Sequence, residues 1–393
     1  MAFKCKTISM ANSRPNYEFL LDKNRSSVKY NVVCGLTFPQ WIRYWWGNWH
    51  LFDFRYIHRV IFITIMSIFN SCLAVFEDLL FREQFRKHTL NPSPIFILGH
   101  PRTGTTHLHN LLSLDENFCV VQTIDVAFPN SFVFLRAILP NRVFHFIESL
   151  LVEKTRPMDA LPLDLSTPAE DEIATNVLSG GISPYAALSF MPRYKHYLQF
   201  LSFRGCCQND IERWKESFLW FLKKVSFVNN GKPMIIKSPP HTARVDLLRR
   251  IFPNARFVWI HRHPQDVFVS SCHMAQEYFT YCFLTKTTNE QLTDYTLEQH
   301  DIIYKEILKN REFIQCELSY RELEENPFEA VDKIYSALGM NYQLDRTKIQ
   351  EYLDALSFSG FKKNDHKKLD DNLLHRVRQS TENVARELHY QGD

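Results

Sequence analysis

One block constrains this chain more than any other. It is the apolar run Ile95-Phe96-Ile97-Leu98, followed at once by Gly99-His100-Pro101-Arg102-Thr103-Gly104-Thr105-Thr106 and by apolar residues at helical spacing through Leu112. Four consecutive apolar residues led by Pro92 and Pro94 suit a strand buried on both faces. A tight glycine-bounded turn into a helix leaves the unpaired amides of the first helical turn facing an anion. The alternation returns further on. Met234-Ile235-Ile236 reads as a strand and residues 242–251 as an amphipathic helix. Arg256–His261 reads as a strand, residues 264–278 as a helix, residues 313–318 as a strand and residues 327–338 as a helix. Strands alternating with helices predict right-handed crossovers and a parallel sheet.

The turn matches the triphosphate-binding pattern GxxxxGK[ST] at both glycines and at the last hydroxyl, but Thr105 stands where the lysine belongs. No strand ends in an aspartate placed to hold magnesium. The expected ligand therefore carries a phosphate at this turn without a triphosphate chain, and Arg102 supplies the cation at the mouth of the loop. The expected architecture is an α/β, P-loop-type three-layer fold. It has a central, mostly parallel sheet flanked by helices, a helical insertion at about residues 129–228, and N-terminal helices.

On these residues the chain resembles the sulfotransferases that use 3′-phosphoadenosine 5′-phosphosulfate (PAPS). The segment from Pro101 to Thr106 is similar to their 5′-phosphosulfate loop. Their 3′-phosphate motif has an arginine at a strand end and a serine eight residues later, matched by Arg262 and Ser270. A guanidinium and a hydroxyl converging on one phosphate make physical sense of that pair. Tyr320, in Ser319-Tyr320-Arg321-Glu322-Leu323, is similar to the family's adenine-stacking tyrosine. Phe361-Lys362-Lys363 and His366-Lys367-Lys368 resemble the late basic loop, although they depart from the Arg-Lys-Gly form of the cytosolic enzymes. The blocks GHPRTGTTHLHNLL, KSPPHT and PAEDE are similar to those of a broad group known mainly from bacterial genomes. The resemblance implies sulfuryl transfer from PAPS to a hydroxyl or amine by in-line displacement, releasing 3′,5′-bisphosphoadenosine (PAP), with no metal. It implies donor contacts from Arg102, Thr103, Gly104, Thr105, Thr106, Arg262, Ser270 and Tyr320. The alternatives are another P-loop kinase or nucleotide triphosphatase, and a nucleotide-binding protein without catalysis.

The proton acceptor is less determined. Cytosolic members place a histidine two residues after a lysine, but here Pro239 follows Lys237 at that spacing. Thr167-Pro168-Ala169-Glu170 fits a capping box with proline at the first helical position, which gives Glu170 a structural task. Asp171 and Glu172 then project from the first helical turn. The order of preference for the base is Glu172, His241, Asp171, beside Arg102 as the catalytic cation. Lys237 either helps to hold the sulfonate or is an exposed strand-end lysine.

The 393 residues carry a net charge of only +3, which argues against a nucleic-acid partner. Nine cysteines without a CxxC pair suit free thiols in a reducing compartment. Residues 1–23 are polar and hold no signal-peptide core. Residues 60–76 are apolar but number seventeen, against the ~20 a spanning helix needs. Trp41, Tyr44, Trp45, Trp46 and Trp49 precede them, residues of the kind that seek a membrane interface. Two readings follow. The segment packs on the domain or lies on a membrane surface, in a cytoplasmic or membrane-associated protein. Alternatively it is the single span of a type II membrane protein of the Golgi, which would leave the sequon Asn24-Arg25-Ser26 cytosolic. The expected division is an N-terminal helical segment, residues 1–90, and a sulfotransferase domain, residues 91–393. The aromatic-rich N-terminal third points to an apolar acceptor such as a lipid or sterol, with a glycan, a protein tyrosine or another small molecule left open.

Overall fold

In the computed structural model, which describes residues 15–138, 155–158, 161–340, 344–358 and 369–390, the short apolar runs are strands of one five-stranded parallel sheet. The strands are β1 (Ile95–Leu98), β2 (Cys119–Val120), β3 (Met234–Lys237), β4 (Arg256–His261) and β5 (Cys316–Ser319), in the order β2-β3-β1-β4-β5. Both faces of the sheet are covered, as continuous apolar strands require. Phe96, Leu98, Met234, Ile236, Phe257 and Trp259 enter one core. Ile95, Ile97, Ile235, Val258 and Ile260 enter the other.

The order of the strands positions the site. The chain leaves β1 for one edge of the sheet, returns through β3, and resumes at β4 on the other side of β1. Ligands of such sheets bind at the carboxyl ends of the strands where the order reverses. The register pairs Ile97 with Lys237 and with Val258, and His261 with Ser319. The glycine loop, Lys237, Arg262 and Tyr320 therefore all emerge at one edge.

Three local expectations need correction. No α-helix starts at Thr242; Pro239–Ala243 is a 3₁₀ turn and the α-helix is Val245–Ile251. The Thr242 hydroxyl is instead used by the loop, accepting from the Gly99 N–H at 2.8 Å and donating to the Gly99 carbonyl at 3.0 Å. The last strand begins at Cys316 because Arg311–Phe313 forms a 3₁₀ turn. The apolar residues 60–76 are only part of their helix: α2 runs from Ile57 to Lys87 and follows α1 (Phe38–Trp46) in the chain.

Nor do residues 15–90 stand apart from the remainder. Val33, Leu36, Trp41, Tyr44, Ile63 and Phe85 share one core with β1, β3 and β4. Arg59 is buried there, and its guanidinium donates to the carbonyls of Asn24, Ser27, Thr280 and Phe283 at 2.5 to 2.9 Å. Arg59→Met keeps the bulk and strands those four acceptors. It is expected to lower the unfolding free energy by about 3 kcal/mol, seen as a lower urea midpoint with an unchanged slope.

Candidate active site

The loop between β1 and the helix Thr105–Leu112 is shaped by close packing. A Cβ at Gly99 would lie 2.7 Å from the Ile260 carbonyl oxygen, so only glycine fits between β1 and β4. Gly104 takes φ +92°, and a Cβ there would lie 2.5 Å from the Tyr320 ring. Arg102 adopts φ +75°, a left-handed conformation that costs a non-glycine residue free energy and is typical of functional turns. No side chain caps Thr105–Leu112, so its first-turn amides are left for an anion.

The residues expected at the donor converge. The Arg102 Nε donates to Ser270 Oγ at 3.1 Å. The Arg262 guanidinium lies 5.0 Å from the centre of the Tyr320 ring, and that ring packs on Gly104. Burial pushes the Tyr320 hydroxyl up to about 12, with Glu324 adding to the effect, so the ring is a neutral surface. Arg102, Gly104, Arg262, Ser270 and Tyr320 thus form one continuous group across three strand ends. The basic segments 361–363 and 366–368 lie outside the described residues.

The loop also borders a cavity of about 230 Å³. Arg102, Thr105, Thr106, Lys237 and Glu170 are among its polar lining residues, and Val32, Val126, Ile173, Leu188, Met274 and Phe279 among its apolar ones. Lys237 is not an exposed strand-end lysine: its side chain is only 2% accessible. Its ammonium donates to Glu170 Oε1 at 2.8 Å and lies 3.5 Å from Thr106 Oγ1. Burial lowers the Lys237 pKa, and the Glu170 carboxylate opposes that shift. The other Glu170 oxygen accepts from the Tyr185 hydroxyl, whose pKa burial raises well above the ordinary value, with Glu170 adding to it.

The capping-box expectation for Glu170 is therefore corrected. Residues 167–169 are not the first turn of a helix. Pro168 bridges Gln122, and the Ala169 N–H donates to the Val121 carbonyl at 2.8 Å. This extended pairing beside β2 delays the helix to Asp171–Ser179 and leaves Glu170 at its N-cap position, with its side chain turned to Lys237. Tertiary strand-like pairing overrides the local capping signal. The available clue was Lys237 itself, an ammonium at the end of a buried strand in need of a carboxylate partner.

The three residues preferred as base from the sequence do not line the cavity. Glu172 is fully buried, accepting from Arg244 at 2.5 and 2.9 Å and from Ser183 Oγ at 2.7 Å. Asp171 is fully buried, 2.8 Å from His241 Nε2 and accepting from Ser238 Oγ at 2.7 Å. Burial pushes the Asp171 carboxyl up, but His241, Ser238 and Arg244 together hold it below the ordinary carboxylate value. His241 is fully buried among Phe96, Trp214 and Phe218. One ligand atom from each of Asp171, Glu172 and His241 falls within 4.8 Å of the others. A cation there would compete with the Arg244 guanidinium already seated on Glu172.

Residues 94–344 match the Sulfotransferase family. The chain is 29% identical over 324 residues to the Stf3 protein of Mycobacterium bovis, named an omega-hydroxy-beta-dihydromenaquinone-9 sulfotransferase, with 81% of each chain covered. The fold is similar to crystal structures of the sulfotransferases STF1 of Mycobacterium tuberculosis H37Rv and STF9 of Mycobacterium avium. For STF1 the TM-score is 0.61 at 17% identity, over 87% of this chain and 89% of that one. For STF9 it is 0.62 at 16% identity, over 86% of each.

The placement of Glu172 is testable by stability. Glu172→Gln leaves the Arg244 guanidinium buried without its counter-charge and is expected to cost about 3 to 5 kcal/mol of unfolding free energy. Unchanged stability with lost turnover would give Glu172 a chemical role instead. With the loop, the strand-end cations and the family match in agreement, the chain belongs to the sulfotransferase family.

Proposed function

We propose that the enzyme sulfates the hydroxyl of an apolar, lipid-like molecule, with Glu170 as the base that removes the hydroxyl proton. The observation that carries this reading is the position of Glu170. It lies on the wall of a cavity that the loop residues Arg102, Thr105 and Thr106 and several apolar side chains also line, 2.8 Å from Lys237.

In this reading Arg262 and Ser270 receive the 3′-phosphate of PAPS, and Tyr320 offers its ring to the adenine. The amides of Thr105 and Thr106, with Arg102, receive the 5′-phosphosulfate. The acceptor oxygen attacks sulfur as the sulfur–oxygen bond to the 5′-phosphate breaks. The bonding pair leaves with that phosphate, and the proton passes to a Glu170 oxygen. Arg102 and the loop amides stabilise charge growing on the leaving phosphate. Lys237, close to both Glu170 and Thr106, orients the carboxylate and places a cation beside the transferring group. Lys237 and Tyr185 each donate to one Glu170 oxygen, and together they fix the carboxylate in place at the cavity.

Support for the acceptor class is twofold. Val32, Ile173, Leu188, Met274 and Phe279 line the cavity together with Glu170, and apolar walls with a few polar groups suit a hydrocarbon body that carries one hydroxyl. The Stf3 relative is named for a hydroxylated menaquinone.

The test offers the purified enzyme PAPS with a prenyl or long-chain alcohol, a monosaccharide or a tyrosine peptide, and follows release of PAP. Turnover is expected with the lipid alcohol. Glu170→Gln is expected to lower kcat by about 10² to 10⁴ with PAP affinity unchanged. Preference for the sugar or the peptide would contradict the acceptor class, and full turnover by Glu170→Gln would contradict the base.

A further inference from the structure

The helix α2 is inside out for a soluble protein. Its buried positions are Arg59, Ile63, Ser67, Asn70, Glu77 and Phe85, which fall within roughly 80° of one another at about 100° per residue. Most are polar or charged, and the body of the protein uses them. Arg59 donates to four carbonyls, and Asn70 donates to the carbonyls of Cys34 and Leu36. Glu77 accepts from the amides of Val133 and Phe134 and pairs with the buried Lys224. The opposite side carries exposed Ile61, Ile65, Ile68, Phe69, Phe76 and Leu79, the last 77% accessible.

The patch is wider than one helix. Beside α2 runs α1, antiparallel to it, with Trp41 Nε1 donating to Thr64 Oγ1 and the Phe38 N–H donating to Ser71 Oγ. Its own outward residues Phe38, Ile42 and Trp46 extend the same apolar face, and Trp49 and Phe54 continue it at the end of α1, Trp46 being 76% and Phe54 81% accessible.

We propose that this face is a monotopic membrane-docking surface on which α1 and α2 lie in the plane of the bilayer interface. Three features favour lipid as the occupant. Between Arg59 and Glu77 the helix carries no charged side chain, and both of those charges point into the protein. Protein interfaces of comparable size mix in far more polar surface. Basic groups flank the uncharged stretch at both ends, Arg43 and Arg55 at one and Arg82, Arg86 and Lys87 at the other, all exposed, with Arg55, Arg82 and Arg86 each also paired with a nearby acid, Asp53, Asp78 and Glu83. They suit the phosphates of lipid headgroups. Exposed Trp46 and Trp49 sit at the edge, where an indole satisfies both hydrocarbon and water. The helix does not cross the bilayer, because Arg59 near one end and Glu77 toward the other are both fixed to the same globular body. The surface is independent of the acceptor reading, although a lipid acceptor would reside in the same phase.

Cys72, exposed on the outward face between Ile68 and Phe76, is a natural reporter. The detergent-free chain is mixed with preformed phosphatidylcholine–phosphatidylglycerol vesicles, treated with a water-soluble maleimide, and read peptide by peptide by mass spectrometry. The protein is expected to co-sediment with vesicles, with Cys72 reactive in buffer and protected on them, while exposed Cys207 reacts in both. The triple variant Ile61→Asn/Ile65→Asn/Phe69→Asn is expected to stay in the supernatant and to bind PAP like the parent, which shows that it is folded. Failure to co-sediment, or Cys72 labelling equally on vesicles, overturns the proposal. Protection of Cys72 without vesicles, lost in the triple variant, assigns the face to a second protein copy and overturns it as well.

Discussion

The site depends on how one acidic triplet docks onto one turn of chain. Glu170, Asp171 and Glu172 are consecutive, and the eight residues from Lys237 to Arg244 supply a partner for each. Lys237 meets Glu170, Ser238 and His241 meet Asp171, and Arg244 meets Glu172. The same turn fastens the phosphate loop, since Thr242 holds both backbone groups of Gly99. Loop, cation and carboxylate are therefore placed relative to one another by a single set of mostly buried polar contacts. Each contact is costly to break, because removing one partner strands the other away from water.

The arrangement divides three chemically similar carboxylates by environment. Glu172 and Asp171 are fully enclosed, with their oxygens occupied by protein donors. Glu170 sits one residue before the helix, keeps 22% of its side chain accessible and lines the cavity. A base needs a route to the acceptor as well as a lone pair, and of the three only Glu170 lines the cavity.

Much of this was legible in the sequence, and the misses have physical causes. Strands, crossovers and the phosphate loop follow from apolar runs and glycine spacing, which are local signals. Arg102, Arg262, Ser270 and Tyr320 converge because parallel strands deliver their carboxyl ends to one edge. The position of Glu170 was hidden because Thr167-Pro168-Ala169-Glu170 is a sound capping box on its own, displaced by pairing with Val121 and Gln122. The length of α2 was hidden for a related reason. Residues 60–76 stop short of Arg59 and Glu77, whereas both of these charges lie on the inner face of α2 and the helix continues through them. Which partners a charge will find across the fold is not written in its neighbours along the chain.

The central claim is that the glycine loop, Arg262 at the end of β4 and Ser270 in the helix that follows form one donor site for a 3′-phosphorylated nucleotide. Calorimetric titration of PAP without magnesium, into the parent chain and into Arg262→Ala, tests it most directly. The account predicts tight binding to the parent that is largely lost in Arg262→Ala. Equal binding by the two, no binding to either, or binding of ATP only with magnesium would contradict it.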